Sequence, residues 1–508
     1  MKGEERVMAV HGPYTGCDLN NLTSLCMPWR EENHLLRPLF SPDAAALSLE
    51  LASTAYDMQT GPWRENGWFD FSYLIDTTVL TGPAVNGETP EGTFSQPLFD
   101  AYQRQAAELV KKQSPISLLR GTLRQREASD TCKCLTMLHR MPGGRYVLAI
   151  GFMGTGKRLY DWISNFRMGR EEGAHQGFLQ LTQEFESRCG EIEFPQAARE
   201  MGVDKLTLTD IFAQCRLPGS RFRVWMAGHS QGGAIMQLAA FREIRRGLLR
   251  QNLIGYGFAS PSVLYENPGC DLCGFPLFHI INGDDVTPRV GAEMQIGRCL
   301  VYQPDEEMRK TCYGQAWTNP LFRLALRQLA YVHDNRSCII NNVALLKVIE
   351  ALPDSEAAAI MGKALGRLLP DRLLSTLGGR VDQLLRAGIR RGATAYARVT
   401  LGEALPENLL NLRMQRITAL MNAFGPQPFI KALLLAMGAP HKLRGTDQTT
   451  GGVGAYQTIV TKHCDALRFY PRVGSVPRTS ALPLRSRKAP RASRRQRIRR
   501  MRNQFTTR

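Results

Sequence analysis

The sequence lacks a long uninterrupted apolar run, and its beginning lacks the features of a secretion signal. Charged Lys2, Glu4, Glu5 and Arg6 open the chain, and no apolar core segment follows within residues 1–22. No segment reaches the roughly 20 apolar residues that a membrane-spanning helix needs. We therefore expect a soluble, cytosolic protein. With 508 residues, 43% of them hydrophobic, the chain has material for two to four domains or for one large α/β domain with insertions.

Cysteine spacing of the kind that builds metal sites is also scarce. Among 12 cysteines, only Cys132 with Cys134 and Cys270 with Cys273 are close in sequence. A structural zinc site usually needs two C-x-x-C pairs, and this chain has one. Without a secretion signal, reduced thiols are expected rather than disulfides. We therefore expect neither a metal nor a cofactor.

Acidic residues are missing from the C-terminal tail. Residues 472–508 contain 13 Lys or Arg and no Asp or Glu, out of a net charge of +18 for the whole chain. The tail has no apolar periodicity, which predicts disorder. It is suited to an anionic membrane surface or to nucleic acid, unless it serves only solubility. The rest of the chain carries little net charge, so nucleic acid is not an expected partner of the folded body.

The pattern of apolar residues predicts an α/β fold. A hairpin is indicated at 133–150, strands at 222–227, 254–259 and 277–282, and helices at 96–113, 177–185 and 205–216. A capping Ser followed by Pro marks the start of another helix at Ser41. From about residue 321 to 435 leucines recur at helical spacing among arginines, which predicts a helical insertion. Strands and helices in this arrangement favour a sheet with functional loops at the strand ends.

One pentapeptide has the form of a nucleophile elbow. Gly228-His-Ser230-Gln-Gly232 follows the apolar run 224–227 and precedes a helix-compatible stretch. At a sharp strand-to-helix turn, small flanking residues let the backbone push the Ser hydroxyl outward. Ser230 is therefore the candidate nucleophile.

A second glycine-rich segment satisfies part of a phosphate-loop pattern. Gly151 to Lys157 reads G-x-x-x-x-G-K after a strand, but position 158 is Arg instead of the Ser or Thr that would hold Mg²⁺. A nucleotide-binding protein is the alternative that this segment leaves open. The same glycines equally suit an oxyanion loop, which also needs inward-pointing amides after a strand.

Taken together, the motifs resemble the class 3 (fungal-type) lipase family of α/β-hydrolases, including its bacterial members. The matching segments occur in the family's order between residues 145 and 290. They are the strand and loop Val147–Thr155, Asp161-Trp-Ile-Ser-Asn165, His175-Gln-Gly-Phe178, the Ser230 elbow, Phe258-Ala-Ser-Pro261 and Asn282-Gly-Asp-Asp-Val-Thr-Pro288.

The resemblance implies a Ser-Asp-His triad that transfers acyl groups. It assigns Ser230 as the nucleophile and Asp285 as the acid, with Asp284 as the fallback, and it places oxyanion donors at Thr155 and Gln231. His175 is expected to be a hydrogen-bonding scaffold residue.

The histidine of the triad should follow the Asp in the chain. His463, His333 and His441 satisfy this order, and His463 is preferred because a Tyr follows it at Tyr470, as in the family. His229, beside the nucleophile, is expected to be structural.

The expected fold is a lipase-type α/β-hydrolase sheet with flanking helices, a large helical insertion and a disordered basic C-terminal tail. The expected organisation is an N-terminal extension at 1–40, a hydrolase core at 41–315, a helical insertion or lid at 316–440, a return to the core at 441–475 and the tail at 476–508. The insertion is either a lid that engages lipid through the segment 365–391 or a packed helical subdomain.

The implied function is that of a serine ester hydrolase acting on acyl lipids, such as a triacylglycerol lipase or a phospholipase. A small-ester esterase is the other enzyme that fits. A catalytically inactive lipase-fold protein that binds lipid or a partner is the alternative from a different class.

Overall fold

A nine-stranded sheet forms the centre of the structure, in the order β13-β12-β11-β10-β9-β6-β5-β3-β4. β6, β9, β10, β11 and β12 are mutually parallel, whereas β13 and the strands β5, β3 and β4 pair antiparallel to their neighbours. Two two-stranded sheets, β1 with β2 and β7 with β8, lie outside it. The strands are β1 Trp29–Glu32, β2 Leu35–Pro38, β3 Trp68–Ile75, β4 Thr78–Thr81, β5 Cys134–Met141, β6 Arg145–Phe152, β7 Arg170–Glu171, β8 Ala174–His175, β9 Phe222–His229, β10 Leu253–Phe258, β11 Leu277–Asn282, β12 Arg298–Tyr302 and β13 Arg468–Tyr470.

Twelve α-helices accompany these strands in the described ranges. They are α1 Pro42–Asp57, α2 Gly61–Glu65, α3 Gln176–Arg188, α4 Pro195–Met201, α5 Leu208–Gln214, α6 Gln231–Arg245, α7 Glu306–Tyr313, α8 Gln315–Thr318, α9 Pro320–Ala330, α10 Glu407–Phe424, α11 Pro426–His441 and α12 Ala455–Lys462. None of them is both long enough and apolar enough to cross a membrane.

The computed structural model describes residues 11–25, 29–32, 35–57, 59–75, 78–81, 132–155, 170–289, 291–330, 407–446 and 451–470. The helix predicted at 96–113, the middle of the predicted helical insertion and the basic tail lie outside these ranges, as does the segment 365–391.

The sheet separates two apolar layers. Alternate residues of a strand point to opposite faces, so in β9 Trp225 packs in one core and Val224 and Met226 pack in the other. Helices α1 and α12 cover the first face, and α3 and α6 cover the second. Burial on both faces explains why β9 reads as a continuous apolar run rather than an alternating one.

The prediction of an α/β-hydrolase sheet with flanking helices is confirmed. The predicted hairpin is β5 with β6, and its turn uses Gly143 and Gly144 at positive φ, where a side chain would be strained. α1 begins at Pro42, and the Ser41 hydroxyl accepts a hydrogen bond from the Ala44 amide, as the capping signal predicts. The topology brings the carboxyl ends of β6, β9 and β11 to one edge of the sheet.

Candidate active site

Ser230 occupies a strained turn between β9 and α6. Its backbone has φ 57° and ψ −128°, a combination that non-glycine residues rarely adopt and that costs on the order of 1–3 kcal/mol. The turn is tight, because a Cβ at Gly228 would overlap the Gly232 carbonyl oxygen. The Ser230 amide donates to the Phe258 carbonyl at 2.9 Å, which ties the turn to β10. The predicted elbow is therefore present, and its serine is only partly buried.

The loop after β6 lies directly against this turn. A Cβ built on Gly154 would lie 2.5 Å from the His229 carbonyl oxygen and 3.2 Å from Ser230 Cβ, so only glycine fits. Thr155 follows at the end of the described segment. Gln231 is the first residue of α6, where backbone N–H groups point outward and the helix dipole is positive. The structure thus brings the loop that ends at Thr155 against the serine turn and the start of α6.

Asp285 lies in the loop that follows β11 and is fully buried. Its Oδ2 accepts from His441 Nδ1 at 2.9 Å and from the Tyr456 hydroxyl at 2.7 Å, and its Oδ1 accepts from the Thr287 amide at 2.9 Å. Burial alone raises the pKa of the Asp285 carboxyl, but the nearby His441 and these hydrogen bonds outweigh it and hold the pKa below its ordinary value. Asp285 is therefore an ionised carboxylate in the neutral range.

His441 is the last residue of α11, and its side chain is 23% exposed. Its ring centroid lies 4.7 Å from that of His229, the residue before the candidate nucleophile. Its Nδ1 is engaged by Asp285, so Nε2 is the nitrogen left for proton transfer.

The last turn of α11 is held by side chains from the elements of the site. The carbonyls at a helix end have no partners within the helix. Asn282 Nδ2 donates to the Pro440 carbonyl at 2.9 Å, and His229 Nε2 donates to the His441 carbonyl at 2.9 Å. The strand that leads to the acid and the turn that carries the serine therefore both fix the backbone at His441.

The preferred histidine of the sequence analysis, His463, is not brought to the acid. It directly follows α12, and its ring stacks on Tyr302 of β12 with centroids 4.7 Å apart. The same helix presents Tyr456 to Asp285 in its place. His441 and His463 both follow the Asp in the chain, so their order does not distinguish them. His333 lies outside the described residues.

Asp284, the fallback acid, has a different set of partners. Its carboxylate accepts hydrogen bonds from Arg309 Nε at 2.7 Å, from a second guanidinium nitrogen of Arg309 at 2.9 Å and from the Tyr313 hydroxyl at 2.9 Å. A bidentate ion pair of this kind holds the loop beside Asp285 in place.

His175 lies at the start of α3, away from the acid. It is buried, its Nδ1 accepts from the Phe178 amide at 3.4 Å, and its ring stacks on Phe178 at 4.0 Å. Burial lowers its pKa to about 3, so the ring is neutral. The segment 161–165 and Lys157 lie outside the described residues. In the described part of the chain no group of three or more His, Cys, Asp or Glu is arranged to hold a metal ion.

Comparison with known proteins locates one family match within the chain. Residues 149–294 match the model of the family described as lipase (class 3). No protein of curated function matches the sequence.

Several solved structures are similar over about a third of this chain. A Rhizomucor miehei lipase is 21% identical, with 33% of this chain and 52% of that chain covered and a TM-score of 0.24. Lipase II from Rhizopus niveus is 18% identical, with 34% and 62% covered and a TM-score of 0.24. A lipase from Rhizopus microsporus var. chinensis is 19% identical, with 34% and 58% covered and a TM-score of 0.23. This chain therefore spans less than two thirds of the length of each of these structures.

Proposed function

We propose that this chain, whose residues 149–294 belong to the class 3 lipase family, is a serine hydrolase of carboxylic esters that acts on acyl lipids. The observation that carries the proposal is the Asp285–His441 pair beside the strained Ser230 turn. A buried carboxylate, an imidazole oriented by it and a serine forced outward are the three groups that acyl transfer needs. The proposed base is His441, in place of His463.

In the proposed reaction Ser230 Oγ attacks the ester carbonyl carbon while His441 Nε2 takes the hydroxyl proton. The carbonyl oxygen becomes an oxyanion, for which the amides of Thr155 and Gln231 are the proposed donors; one such donor is typically worth about 3–4 kcal/mol. His441 then gives its proton to the departing alcohol, which leaves an acyl-serine. A water molecule repeats the sequence, and the carboxylic acid departs.

Two negative features face the positive charge that this cycle creates on the His441 ring. Asp285 supplies a buried negative charge at 2.9 Å from Nδ1, and the C-terminus of α11 adds the negative end of a helix dipole. Tyr456 donates to the same carboxylate oxygen and keeps it ionised. These groups hold the Nδ1–H tautomer, which leaves Nε2 able to accept the serine proton.

Exposed apolar side chains on α11, which ends at His441, and on the preceding α10 support an acyl-lipid substrate. Leu412 and Phe424 on α10 are 59% and 47% exposed, and Met437, one turn before His441 on α11, is 40% exposed. Large apolar side chains exposed on helices are suited to contact with a lipid surface. The basic tail at 472–508 would add attraction to an anionic membrane.

Labelling with a fluorophosphonate probe tests the proposed chemistry. The probe forms a bond to an activated serine, so the native chain should label, Ser230→Ala should not, and His441→Ala should label at least about 10³-fold more slowly. His463→Ala is the matched control and should label at the native rate. An unlabelled native chain, with detergent present, would indicate the inactive lipase-fold protein instead.

A chain-length series then tests the substrate class. Hydrolysis of p-nitrophenyl esters from acetate to palmitate, followed by emulsified triacylglycerol and phospholipid vesicles, should show higher kcat/KM for long acyl chains. A maximum at acetate or butyrate with no activity on emulsions would identify a small-ester esterase and exclude the lipase proposal.

A further inference from the structure

We propose that Tyr56 is a positioning residue that, through His229, joins the oxyanion loop to the backbone of the catalytic histidine. This inference rests on the proposed function. Tyr56 lies in the last turn of α1, far from the other site residues in sequence, and it has no part in the motifs that indicate the triad.

A chain of three hydrogen bonds carries the proposal. The Gly154 amide lies 3.0 Å from the Tyr56 hydroxyl oxygen, which lies 2.9 Å from His229 Nδ1. His229 Nε2 lies 2.9 Å from the His441 carbonyl oxygen. The three bonds therefore connect the loop after β6, the turn that carries Ser230 and the end of α11.

Only one direction of donation satisfies every group in this chain. The carbonyl of His441 can only accept, so His229 Nε2 carries the proton and, in a neutral ring, Nδ1 does not. Nδ1 then accepts from the Tyr56 hydroxyl. The tyrosine oxygen in turn accepts from the Gly154 amide, which can only donate.

The three hydrogen bonds keep this direction of donation near neutral pH because the side chains of His229 and Tyr56 both stay neutral. Burial, with a smaller contribution from the neighbouring His441, lowers the pKa of His229 to about 3. Burial likewise raises the pKa of the Tyr56 hydroxyl. A protonated His229 would leave Tyr56 without an acceptor and would place a positive charge beside the His441 ring.

The support for Tyr56 is itself rigid. α1 packs against β6 and β9, and Ser48, two turns earlier, accepts from the indole of the buried Trp225 on β9 at 2.8 Å. The Gly154 amide donates to Tyr56, so it is engaged within the protein rather than with a bound oxyanion. A shift of about 1 Å at such a loop can cost about 100-fold in rate.

The variant Tyr56→Phe tests this role because it keeps the ring beside His229 and removes only the hydroxyl. We expect kcat on a p-nitrophenyl ester to fall between about 10- and 100-fold, with KM within twofold of native. The matched control is Tyr256→Phe, since the buried Tyr256 hydroxyl also bonds backbone, at Ser41, but belongs to no group of the site. Its kcat should equal that of the native chain. Equal kcat for Tyr56→Phe and native chain would overturn the proposal.

A pair of His229 variants tests the three hydrogen bonds independently, and it remains informative if Tyr56→Phe does not fold. Gln at 229 has an oxygen to accept from Tyr56 and an N–H to donate to the His441 carbonyl, whereas Leu has neither. We expect His229→Gln to retain at least tenfold more kcat than His229→Leu, and equal values would overturn the proposal. Loss of fluorophosphonate labelling in Ser230→Ala establishes the proposed function separately, so a native-like Tyr56→Phe in a labelled enzyme refutes only this inference.

Discussion

Replacing Asp285 by Asn tests the proposed acid without changing the shape of its side chain. The Thr287 amide needs an acceptor at 2.9 Å, so the amide oxygen of the Asn takes the place of Oδ1. Its NH₂ group then takes the place of Oδ2, facing His441 Nδ1 and the Tyr456 oxygen. A donor there requires an unprotonated Nδ1, which moves the ring proton to Nε2.

The size of the expected effect follows from this change of tautomer. With a proton on Nε2, His441 cannot take the proton of Ser230. In serine hydrolases the equivalent change lowers kcat about 10⁴-fold, or about 5.4 kcal/mol at 1.36 kcal/mol for each factor of ten. The side chain stays buried and hydrogen-bonded, so the fold should persist.

The assay is kcat on a p-nitrophenyl ester, with circular dichroism and Tm as checks on folding. Asp284→Asn is the matched control, because it removes the charge that pairs with Arg309 but does not touch His441. It should lower Tm and leave kcat within about tenfold of native. A native-like kcat for Asp285→Asn together with a 10⁴-fold loss in Asp284→Asn would refute the assignment of the acid.

Three further predictions concern the loop after β6, a buried carboxyl on α1 and the end of α11. Gly154→Ala should fold but lose at least about 100-fold in kcat, measured on the same ester, because the added methyl group would overlap the Tyr56 hydroxyl and the His229 carbonyl oxygen and displace the loop. Glu50 is buried and its pKa is raised by burial, so its contribution to stability is present below its ordinary pKa and is lost as pH rises through the raised one. Glu50→Gln keeps an accepting Oε1. The increase in its free energy of unfolding over that of the native chain, measured in urea, should be larger at pH 8 than at pH 4. Asn282→Ala removes the partner of the Pro440 carbonyl and should cost about 1–3 kcal/mol of unfolding free energy by urea titration, together with a loss of kcat.

The sequence alone predicts those features of the protein whose residues are adjacent in the chain. The elbow at Ser230 combines a buried strand, glycines and a helix start, all adjacent in sequence, and the strand before Asp285 is recognisable in the same way. The histidine could not be chosen in this way. His441 and His463 both follow the acid near a helix end, and the choice depends on which helix end is held by Asn282, a contact between residues distant in sequence.

The role inferred for Tyr56 could not be predicted from the sequence either. Nothing in the residues around it distinguishes it from an ordinary aromatic near the end of a buried helix. Its contacts are with Gly154 and His229, which lie on two other elements and meet it only after the sheet has formed. His229 was expected to be structural, and its adjacency to Ser230 gave no sign that its second nitrogen reaches the backbone of α11.

The contacts at the end of α11 bear on the predicted helical insertion at 316–440, which contains most of this helix. The carbonyls of Pro440 and His441 are held by Asn282 and His229, so the strand that leads to Asp285 and the serine turn set the position of the proposed base. α10, by contrast, exposes Leu412 and Phe424 and has no fully buried residue among its described side chains. We therefore expect substitutions on the exposed face of α10 to leave His441 in place. Whether the insertion is a lid or a packed subdomain can be tested through substrate access. Deletions within residues 331–406 should change selectivity for acyl chain length more than they change the rate of fluorophosphonate labelling.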